Sequence, residues 1–470
     1  MNRRNFLKTI GLGTASLAVP GYMSIPQLLA GETLKNKPNI VFILADDLGW
    51  KDVGYHGGEI KTHNIDRLAS EGTRLEQFYV QPVCSPTRSS LMTGRYPIRY
   101  GLQVGVVRPW AKHGLPLEER TLAQALREVG YVTAVHGKWH LGHLSYEYLP
   151  TSRGFDHQYG HYNGALDYFT HIRDGGLDWN RDDKPLREEG YTTNLIGSES
   201  VRLIEQHDIS KPLFLYVPFN APHSPFQAPQ PYLDMYIHIK VKNRRTYAAM
   251  VTCMDDVIGQ IIAALDKRGM MRNTLIIFCS DNGGVERVAN NSPLRGSKGT
   301  LYEGGVRVPA IAVWHGVLGA GAVVNEALHI VDMYPTILKL AGASLEQVLP
   351  IDGRDVWSTI AKGDSSPHDE ILLNCTPFSG AIRRGNWKLA YNAHLNANYI
   401  GPKLNNNKFE LFNLTDDPYE KINLLEKNPK KFQELKQRLE VYAKQAVKPN
   451  MPPNEMPEDF KVPKIWGHPD

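Results

Sequence analysis

From Asn39 onward, the chain alternates short apolar runs with amphipathic stretches. The clearest apolar runs are "NIVFILA", "YVTAVHG", "LFLYVPF" and "TLIIFCS". Runs of this kind, rich in β-branched and aromatic residues, are typical of buried strands, and the stretches between them are typical of helices that cover a sheet. The pattern therefore predicts an α/β fold with a large, mostly parallel sheet sandwiched by helices.

Each of these four runs is followed by polar residues. In chain order these residues are Asp46 and Asp47, Lys138 and His140, His223, and Asp281 and Asn282. In open α/β sheets, ligands bind beyond the carboxyl ends of the strands. Because four such ends carry complementary acid, amide and basic side chains, we expect the functional site at this edge of the sheet.

The pattern changes near residue 365. "GDSSPHDE" is typical of a linker, and "EILLNC", "GAIRRGNWKLAYN" and "FELFNL" predict short antiparallel strands. "NPKKFQELKQRLEVYAKQAV" predicts an amphipathic helix, and a Pro-rich segment follows it. We expect a large domain at residues 36–365 and a smaller α+β domain with an antiparallel sheet and an extended tail at residues 366–470.

The first residues have the pattern of an export signal. "RRNFLK" is a twin-arginine pattern, and the apolar stretch "TIGLGTASLAVPGYM" follows it. We expect residues 1–30 to be a cleaved signal peptide, which predicts an exported bacterial protein of the periplasm or the medium. The stretch is too short and too rich in glycine for stable membrane insertion; the alternative is a tethered N-terminal helix.

Composition limits the classes of partner. The chain has 470 residues and a net charge of +4, so its bulk charge indicates neither nucleic-acid nor membrane binding, and an anion site has to be local. Its 4 cysteines include no CxxC pair and no zinc-ligand spacing, which argues against a disulfide scaffold but leaves one bridge open. Cys253 and Cys279 lie in apolar runs and are predicted core residues.

The acids and the amide at the strand ends form a candidate metal site. Carboxylate and amide oxygens are hard ligands, which favour Ca²⁺ or Mg²⁺ over zinc. Adjacent acids after a strand also cap turns. The pair Asp46 and Asp47 is matched, however, by Asp281 and Asn282 at a second strand end, and this match favours a metal.

The basic residues complete the candidate site. Lys138, His140 and His223 follow two other strands, and Lys298 lies in the Gly-rich segment "PLRGSKGTLYEGG". Singly, each residue has an ordinary explanation as a surface lysine or a hydrogen-bonded loop histidine. Together beside a divalent ion, they predict a pocket for a tetrahedral oxyanion ester, either a sulfate or a phosphate.

One cysteine does not fit this oxygen chemistry. Cys84 begins "CSPTRSSLMTGRYP", and a thiolate is a soft ligand that suits Ca²⁺ poorly. It is either a buried structural residue or a thiol nucleophile at a helix N-terminus, with its pKa lowered by the helix and by Arg88. Neither explains a thiol among oxygen ligands, whereas a chemically altered cysteine does.

The chain resembles the type I sulfatase family of the alkaline-phosphatase-like superfamily. The segment at Cys84 matches the family signature C-x-P-x-R, and further similar segments occur in the expected order: "FILADDLGW", "GKWHLG", "PTSRGFDHQYG", "SDNGG", "KGTLYEGGVRVP" and "LFNLTDDPYE". Within the family the chain most resembles the arylsulfatase B-like, or N-acetylgalactosamine-4-sulfatase, group. The resemblance implies that residues 36–365 are the catalytic domain.

The resemblance implies that a separate maturation enzyme, which reads Pro86 and Arg88, oxidises Cys84 to formylglycine. The hydrated aldehyde is then an oxygen nucleophile, which accounts for a cysteine in this site. The resemblance also implies one Ca²⁺, whose implied ligands are Asp46, Asp47, Asp281, Asn282 and the modified Cys84.

The resemblance further assigns roles to the basic residues. Lys138, His223 and Lys298 are similar to the residues that hold the sulfate oxygens, and His223 would also protonate the leaving alcohol. His140 would accept a proton from the diol, and Arg88 would steady the diol. These roles describe an enzyme that cleaves sulfuric esters.

The implied substrate is a sulfated polysaccharide or oligosaccharide, with the sugar left undefined. Candidate sugar contacts are His161, Asp167, Tyr168, His171, Trp179, Arg383 and Arg384. A phosphate or phosphonate monoester hydrolase of the same superfamily is one alternative, although "SDNG" favours Ca²⁺ and sulfate over a transition metal bound by histidines. A non-catalytic carbohydrate-binding relative is another, and the complete set of catalytic residues argues against it.

Overall fold

The protein is described by a computed structural model at residues 37–393 and 407–468. The predicted export signal, residues 1–30, lies outside the described residues. The strands are β1 (Asn39–Ala45), β2 (Thr73–Tyr79), β3 (Val132–Lys138), β4 (His157–His161), β5 (Ile172–Arg173), β6 (Gly176–Leu177), β7 (Asn180–Arg181), β8 (Lys184–Pro185), β9 (Leu213–Pro218), β10 (Thr274–Ser280), β11 (Ala310–Val313), β12 (Ala322–His329), β13 (Glu370–Cys375), β14 (Gly380–Arg384), β15 (Trp387–Tyr391) and β16 (Phe409–Asn413). The helices are α1 (His63–Glu71), α2 (Cys84–Thr93), α3 (Leu122–Glu128), α4 (Thr192–Gln206), α5 (Gln230–Met235), α6 (Lys242–Lys267), α7 (Glu303–Val306), α8 (Met333–Leu340), α9 (Trp357–Lys362) and α10 (Pro429–Gln445).

A 10-stranded sheet forms the centre of the molecule, in the order β12-β2-β11-β10-β1-β9-β3-β4-β7-β8. The four strands predicted to carry the site are consecutive neighbours in it, β10-β1-β9-β3, and all their pairings are parallel. Their carboxyl ends therefore meet at one edge. The predicted α/β fold, with a mostly parallel sheet, is confirmed.

β1 shows why the sheet requires continuous apolar runs. Successive side chains of a strand point to opposite faces. Ile40, Phe42 and Leu44 lie in one buried core cluster, and Val41 and Ile43 lie in the cluster on the other face. Because helices cover both faces, neither set of side chains meets solvent.

The long helix α6 belongs to this core. It is the one described helix long and apolar enough to cross a membrane by length and composition, and most of it is buried. Val257, Ile258 and Ile261 pack in the same cluster as β1 residues Val41 and Ile43. A buried core helix passes the same test of length and composition, so α6 is weak evidence for a membrane span.

A second, antiparallel sheet has the order β13-β14-β15-β16 and is covered by α10, which confirms the predicted smaller antiparallel sheet. The described chain after α10 has neither a helix nor a long strand, but it forms backbone hydrogen bonds with residues of the large sheet's domain. Val447 N donates to Ile98 O at 2.9 Å, and Leu177 N donates to Lys464 O at 2.9 Å. We call residues 446–468 the tail.

The two sheets meet at a buried ion cluster of Glu303, Lys388 and Glu420, which we call the junction cluster. Lys388 Nζ lies 2.9 Å from Glu303 Oε1 and 2.8 Å from Glu420 Oε1, and both the lysine and Glu303 are fully buried. Tyr79 Oη donates to Glu303 Oε2 at 2.8 Å. The cluster therefore ties β15 to α7 and to the segment after β16 that carries Glu420.

Candidate functional site

Cys84 lies among carboxylates at the edge where the four strands end. It is the first residue of α2, and its side chain is buried. Its Sγ, an oxygen of Asp46 and an oxygen of Asp281 all lie within 4.8 Å of one another. The structure therefore brings together three of the residues predicted from separate segments of the chain.

Asp47 and Asn282 complete a cluster of oxygen atoms. Asp47 has a φ of 71°, a left-handed backbone conformation that non-glycine residues adopt rarely. Asn282 Nδ2 donates to Asp47 Oδ1 at 2.7 Å, while Asn282 Oδ1 and Asp46 Oδ1 are buried without a hydrogen-bond partner. We call Asp46, Asp47, Asp281 and Asn282 the oxygen cluster. Its two unpartnered oxygens are costly to bury unless something binds them.

The carboxylates of this cluster affect one another's protonation. Burial alone would raise the pKa of Asp46, but Lys138, His223 and Arg88 hold that pKa well below its usual range. Burial, together with the neighbouring charge of Asp46, raises the pKa of Asp281 to about 7. Two carboxylates in a dry site repel each other, and a bound cation would relieve that repulsion.

Three cations surround the oxygen cluster. Arg88 Nη2 lies 2.9 Å from Asp281 Oδ2 and 3.4 Å from Asp46 Oδ2. Lys138 Nζ donates to Asp46 Oδ2, and Lys298 Nζ lies 2.6 Å from Asp47 Oδ1. Although burial would lower the pKa of Lys298, Asp47 raises it above its usual value, so Lys298 stays charged.

The two histidines have defined tautomers when neutral. His140 Nε2 donates to Val107 O at 3.0 Å, which leaves its Nδ1 as an acceptor, buried and without a partner. His223 Nδ1 donates to Ser224 O at 2.6 Å, which leaves its Nε2 available. Burial and the charge of Lys298 lower the pKa of His223 to about 4, against the opposing effect of Asp47.

Cys84 is not set up as a thiolate. Burial raises the pKa of its thiol above the usual value, even though Lys138 and Lys298 act in the other direction. This counts against the alternative in which the helix and Arg88 activate the thiol as a nucleophile. All 4 cysteines are free and buried, and the predicted core residues Cys253 and Cys279 lie among them.

A cavity of about 140 Å³ opens beside Cys84. Its lining residues are Cys84, Val106, Val107, Arg108, Pro109, His140, Gly164, Ala165, Arg173, His223 and Lys298. Four predicted site residues are among them, whereas Lys138 lies fully buried outside this lining. Arg108 and Arg173 were not predicted, because no local pattern in their segments distinguishes them from other arginines.

The residues of the 161–179 segment that were predicted to contact the sugar lie outside the lining of the Cys84 cavity. His161 and Trp179 are fully buried, and His171 Nε2 donates to Gly190 O at 3.1 Å. Asp167 accepts from Thr170 N at 2.8 Å and from Gln227. None of these side chains lines the Cys84 cavity.

Tyr168, from the same segment, supports the site indirectly. Its Oη lies 2.6 Å from Asn220 O and 2.8 Å from His223 O, so its single proton is shared between these two carbonyl groups. The ring itself is buried and stacks on Tyr191. Tyr168 therefore holds the loop that carries His223 in place.

Arg383 and Arg384 lie on β14, and only Arg383 faces the junction between the two sheets. Arg383 Nη1 donates to Tyr79 Oη at 2.6 Å, and Arg384 Nη1 lies 3.0 Å from Glu434 Oε1 on α10. Their side chains point to opposite faces of β14, as a strand requires. Neither lines the Cys84 cavity, so the structure does not bring the predicted contact of the second domain to this pocket.

Comparison with known proteins identifies the family. The sulfatase family model matches residues 38–343. Arylsulfatase J of Mus musculus is 39% identical, over 93% of this chain and 81% of that protein. The crystal structure of Ps i-CgsB in complex with k-i-k-neocarrahexaose has a TM-score of 0.80 and 33% identity, over 88% of this chain and 94% of that one. The PsFucS1 sulfatase from Pseudoalteromonas sp. has a TM-score of 0.72 and 29% identity, over 89% and 94% of the two chains. The chain belongs to the sulfatase family, and its activity is the hydrolysis of sulfuric esters.

Proposed function

We propose that the protein hydrolyses a sulfate ester of a polysaccharide or oligosaccharide, with Ca²⁺ in the oxygen cluster and formylglycine at position 84. The observation that carries this proposal is the position of Cys84, whose Sγ lies within 4.8 Å of carboxylate oxygens from two strand ends. A carbohydrate substrate is supported by the similarity to Ps i-CgsB, whose structure holds k-i-k-neocarrahexaose.

The oxygen cluster fits a hard divalent cation. Asp46, Asp47, Asp281 and Asn282 would hold it, and the unpartnered Oδ1 atoms of Asp46 and Asn282 supply free lone pairs. The repulsion between the Asp46 and Asp281 carboxylates also calls for a positive charge. Bound there, Ca²⁺ supplies charge that stabilises the negative oxygens of the sulfate group.

Position 84 fits a small oxygen nucleophile. Cys84 lines the cavity, and Ser85 Oγ, next to it, donates to His140 O at 3.0 Å. A hydrated aldehyde at this position would supply an oxygen nucleophile for the sulfur of the ester, with the sugar oxygen as the leaving group. Because Cys84 and Arg88 are buried in the folded protein, the maturation enzyme would act on this segment before it folds.

The cationic side chains of the site would bind the sulfate group and stabilise its negative charge. Lys298 stays charged and lines the cavity, where it would contact the sulfate oxygens. Lys138, held by Asp46, adds positive charge near position 84, and Arg88 fixes the Asp281 carboxylate. These fixed charges stabilise the transition state because they need no reorganisation during the reaction.

The two histidines would move protons. His140 Nδ1 is the acceptor that would take a proton from the hydroxyl at position 84. His223 Nε2 would deliver a proton to the leaving sugar oxygen, and an anionic sulfate beside it would raise the pKa of His223 from its low value in the free protein.

Peptide mass and turnover at position 84 test the proposal. Purified protein should carry the aldehyde at position 84 and release inorganic sulfate from a sulfated oligosaccharide over many turnovers. Cys84→Ala should fold and bind the substrate without turnover, since it keeps the oxygen cluster and the cations. Cys84→Ser, shown by mass to be unmodified, should give at most one turnover, because it has no second hydroxyl. Sustained turnover by unmodified serine or by an untouched thiol would contradict the formylglycine mechanism.

We also propose that residues 1–30 direct export from a bacterial cell. The support is the twin-arginine pattern followed by a small-residue apolar stretch. Replacing Arg3 and Arg4 by lysine should retain the protein in the cytoplasm, which cell fractionation measures. Equal export of both forms would contradict the twin-arginine route.

A further inference from the structure

The charge of the Cys84 cavity exceeds what one sulfate ester needs. Among its 11 described lining residues there is no aspartate or glutamate, while Arg108, Arg173 and Lys298 are permanent cations. Lys298 is neutralised by Asp47 beneath it. Arg173 lies 2.9 Å from Asp174, so Arg108 is the positive charge at the cavity that no carboxylate of the described residues offsets.

Arg108 has no carboxylate partner within ion-pair distance in residues 37–393 and 407–468. Its Nη2 donates to a neutral group, Asn454 Oδ1, at 3.2 Å. Burial lowers the pKa of Arg108 against the opposing effect of Cys84, and the charge of Arg173 adds a smaller effect in the same direction as burial. The two guanidinium groups therefore repel each other, and an anion between them would remove that repulsion.

Arg173 uses one side of its guanidinium group. Its Nε lies 2.9 Å from Asp174 Oδ2, the neighbouring residue, and its side chain is 29% exposed. No hydrogen bond from either Nη atom is found in the described part of the chain. Those atoms are the pair that binds carboxylate or sulfate oxygens in bidentate fashion.

The tail holds both arginines at the cavity. Trp466 Nε1 donates to Arg173 O at 2.8 Å, and Trp110 Nε1, two positions after Arg108, donates to Pro453 O at 2.8 Å. Trp466 is fully buried, so this anchor is rigid. A rigid backbone under an arginine lowers the entropy cost of binding through its side chain.

We propose that Arg108 and Arg173 form a second anion-binding subsite at the Cys84 cavity, which recognises a further sulfate or carboxylate group on the substrate. This inference rests on the proposed function and specifies its substrate class. Because the cavity is small, about 140 Å³, the second anion lies on the reacting sugar or on the sugar next to it. The preferred substrate is therefore a multiply anionic carbohydrate.

Three disaccharides with the same backbone test the subsite. One carries the scissile sulfate alone, one carries a second sulfate, and one carries a carboxylate. The mature protein should hydrolyse at least one doubly anionic compound with a kcat/KM about tenfold or more above that of the monosulfate. Comparison of the two doubly anionic compounds shows whether the subsite binds sulfate or carboxylate. Arg108→Gln and Arg173→Gln should each reduce this ratio at least fivefold, and Arg108→Lys should restore part of it.

A matched control and a binding measurement separate this role from a structural one. Arg67→Gln removes an exposed arginine of α1 and should keep the wild-type ratio. Calorimetric binding to the Cys84→Ala protein should show the same dependence on Arg108 and Arg173, without turnover. Equal losses on all three disaccharides, or no preference in wild type, would overturn the subsite. Monosulfate hydrolysis without preference leaves the proposed function standing, whereas failure to hydrolyse any sulfate ester removes both.

Discussion

The oxygen cluster and the junction cluster are both buried groups of charges, but they are satisfied differently. In the junction cluster, Lys388 contacts both carboxylates, at 2.9 Å and 2.8 Å, and Tyr79 donates to the remaining oxygen of Glu303. In the oxygen cluster, Asp46 Oδ1 and Asn282 Oδ1 have no hydrogen-bond partner, whereas the one junction oxygen without a hydrogen bond, Glu420 Oε1, lies 2.8 Å from Lys388 Nζ. Both clusters have cations within the fold, but the oxygen cluster also has lone pairs left for a ligand.

The difference separates a structural ion cluster from a binding site. Buried polar atoms are normally hydrogen-bonded, because each one left without a partner costs about 1–3 kcal/mol. A chain that keeps two such atoms beside a cavity gains when a cation binds them. Burial and charge alone do not make this distinction, since both clusters are buried and charged.

The largest expected effect is on the junction cluster. Lys388→Met leaves Glu420 buried without its cation and leaves Glu303 with Arg307 at 3.7 Å, and it should lower the free energy of unfolding by roughly 3–5 kcal/mol. Denaturant unfolding measures this loss, with the exposed Lys362→Met as the control. A loss below about 1 kcal/mol would show that the junction carboxylates have another partner.

Removal of Ca²⁺ tests the oxygen cluster through the same quantity, the free energy of unfolding. Chelator should abolish turnover and lower stability by up to about 4 kcal/mol, the mass-action term for a ligand present at roughly a thousand times its Kd. Thermal unfolding with and without Ca²⁺ measures the shift. The Lys388→Met protein should show the same shift, since the junction cluster holds no ligand. Turnover in excess chelator, with the metal shown to be absent, would contradict the assignment.

Lys298→Met should affect the reaction more than the fold. Loss of one fixed cation at the sulfate should reduce kcat/KM about a hundredfold, or roughly 3 kcal/mol of transition-state stabilisation. Its effect on unfolding should be smaller than that of Lys388→Met, because Ca²⁺ would still offset Asp47. Steady-state kinetics and unfolding of the same preparation compare the two effects. A larger loss of stability than of activity would place Lys298 with the structural lysines.

The smallest expected effect concerns a partly exposed ion cluster at β4. Burial would lower the pKa of His157, but hydrogen bonds to Asp182 and Glu199 raise it to about 9. A raised pKa stabilises the fold fully below the ordinary value of about 6.5, and the stabilisation is lost as pH rises through 9. His157→Gln should therefore cost more stability at pH 6 than at pH 10, by about 1–2 kcal/mol after allowance for solvent screening. Unfolding at both pH values, with the exposed His63→Gln as the control, measures this difference.

The strands and the oxygen cluster were predictable because their signals are local. The alternation of β1 side chains between two apolar faces and the acids at its carboxyl end both occur within nine residues, Asn39 to Asp47. The signature at Cys84 is equally compact. The orientation of the predicted sugar contacts was not readable from the sequence, because a local pattern does not show which way a side chain points: His161, at the end of β4, and Trp179 are buried.

By itself, then, the sequence was sufficient to predict the strands of the large sheet and the acidic, basic and cysteine residues at the edge of that sheet. Each of these signals, the hydrophobic periodicity and the residues at a strand end, spans only a few positions. Only the tertiary structure showed which buried charged and polar groups have a counter-charge or a hydrogen-bond partner and which have none. Lys388 and Glu303 are 85 positions apart, and Arg108 and Arg173 become neighbours of one cavity through the tail and the strands between them. A counter-charge acts over a few ångströms of space, whatever the distance along the chain, so folding alone reveals its presence or absence.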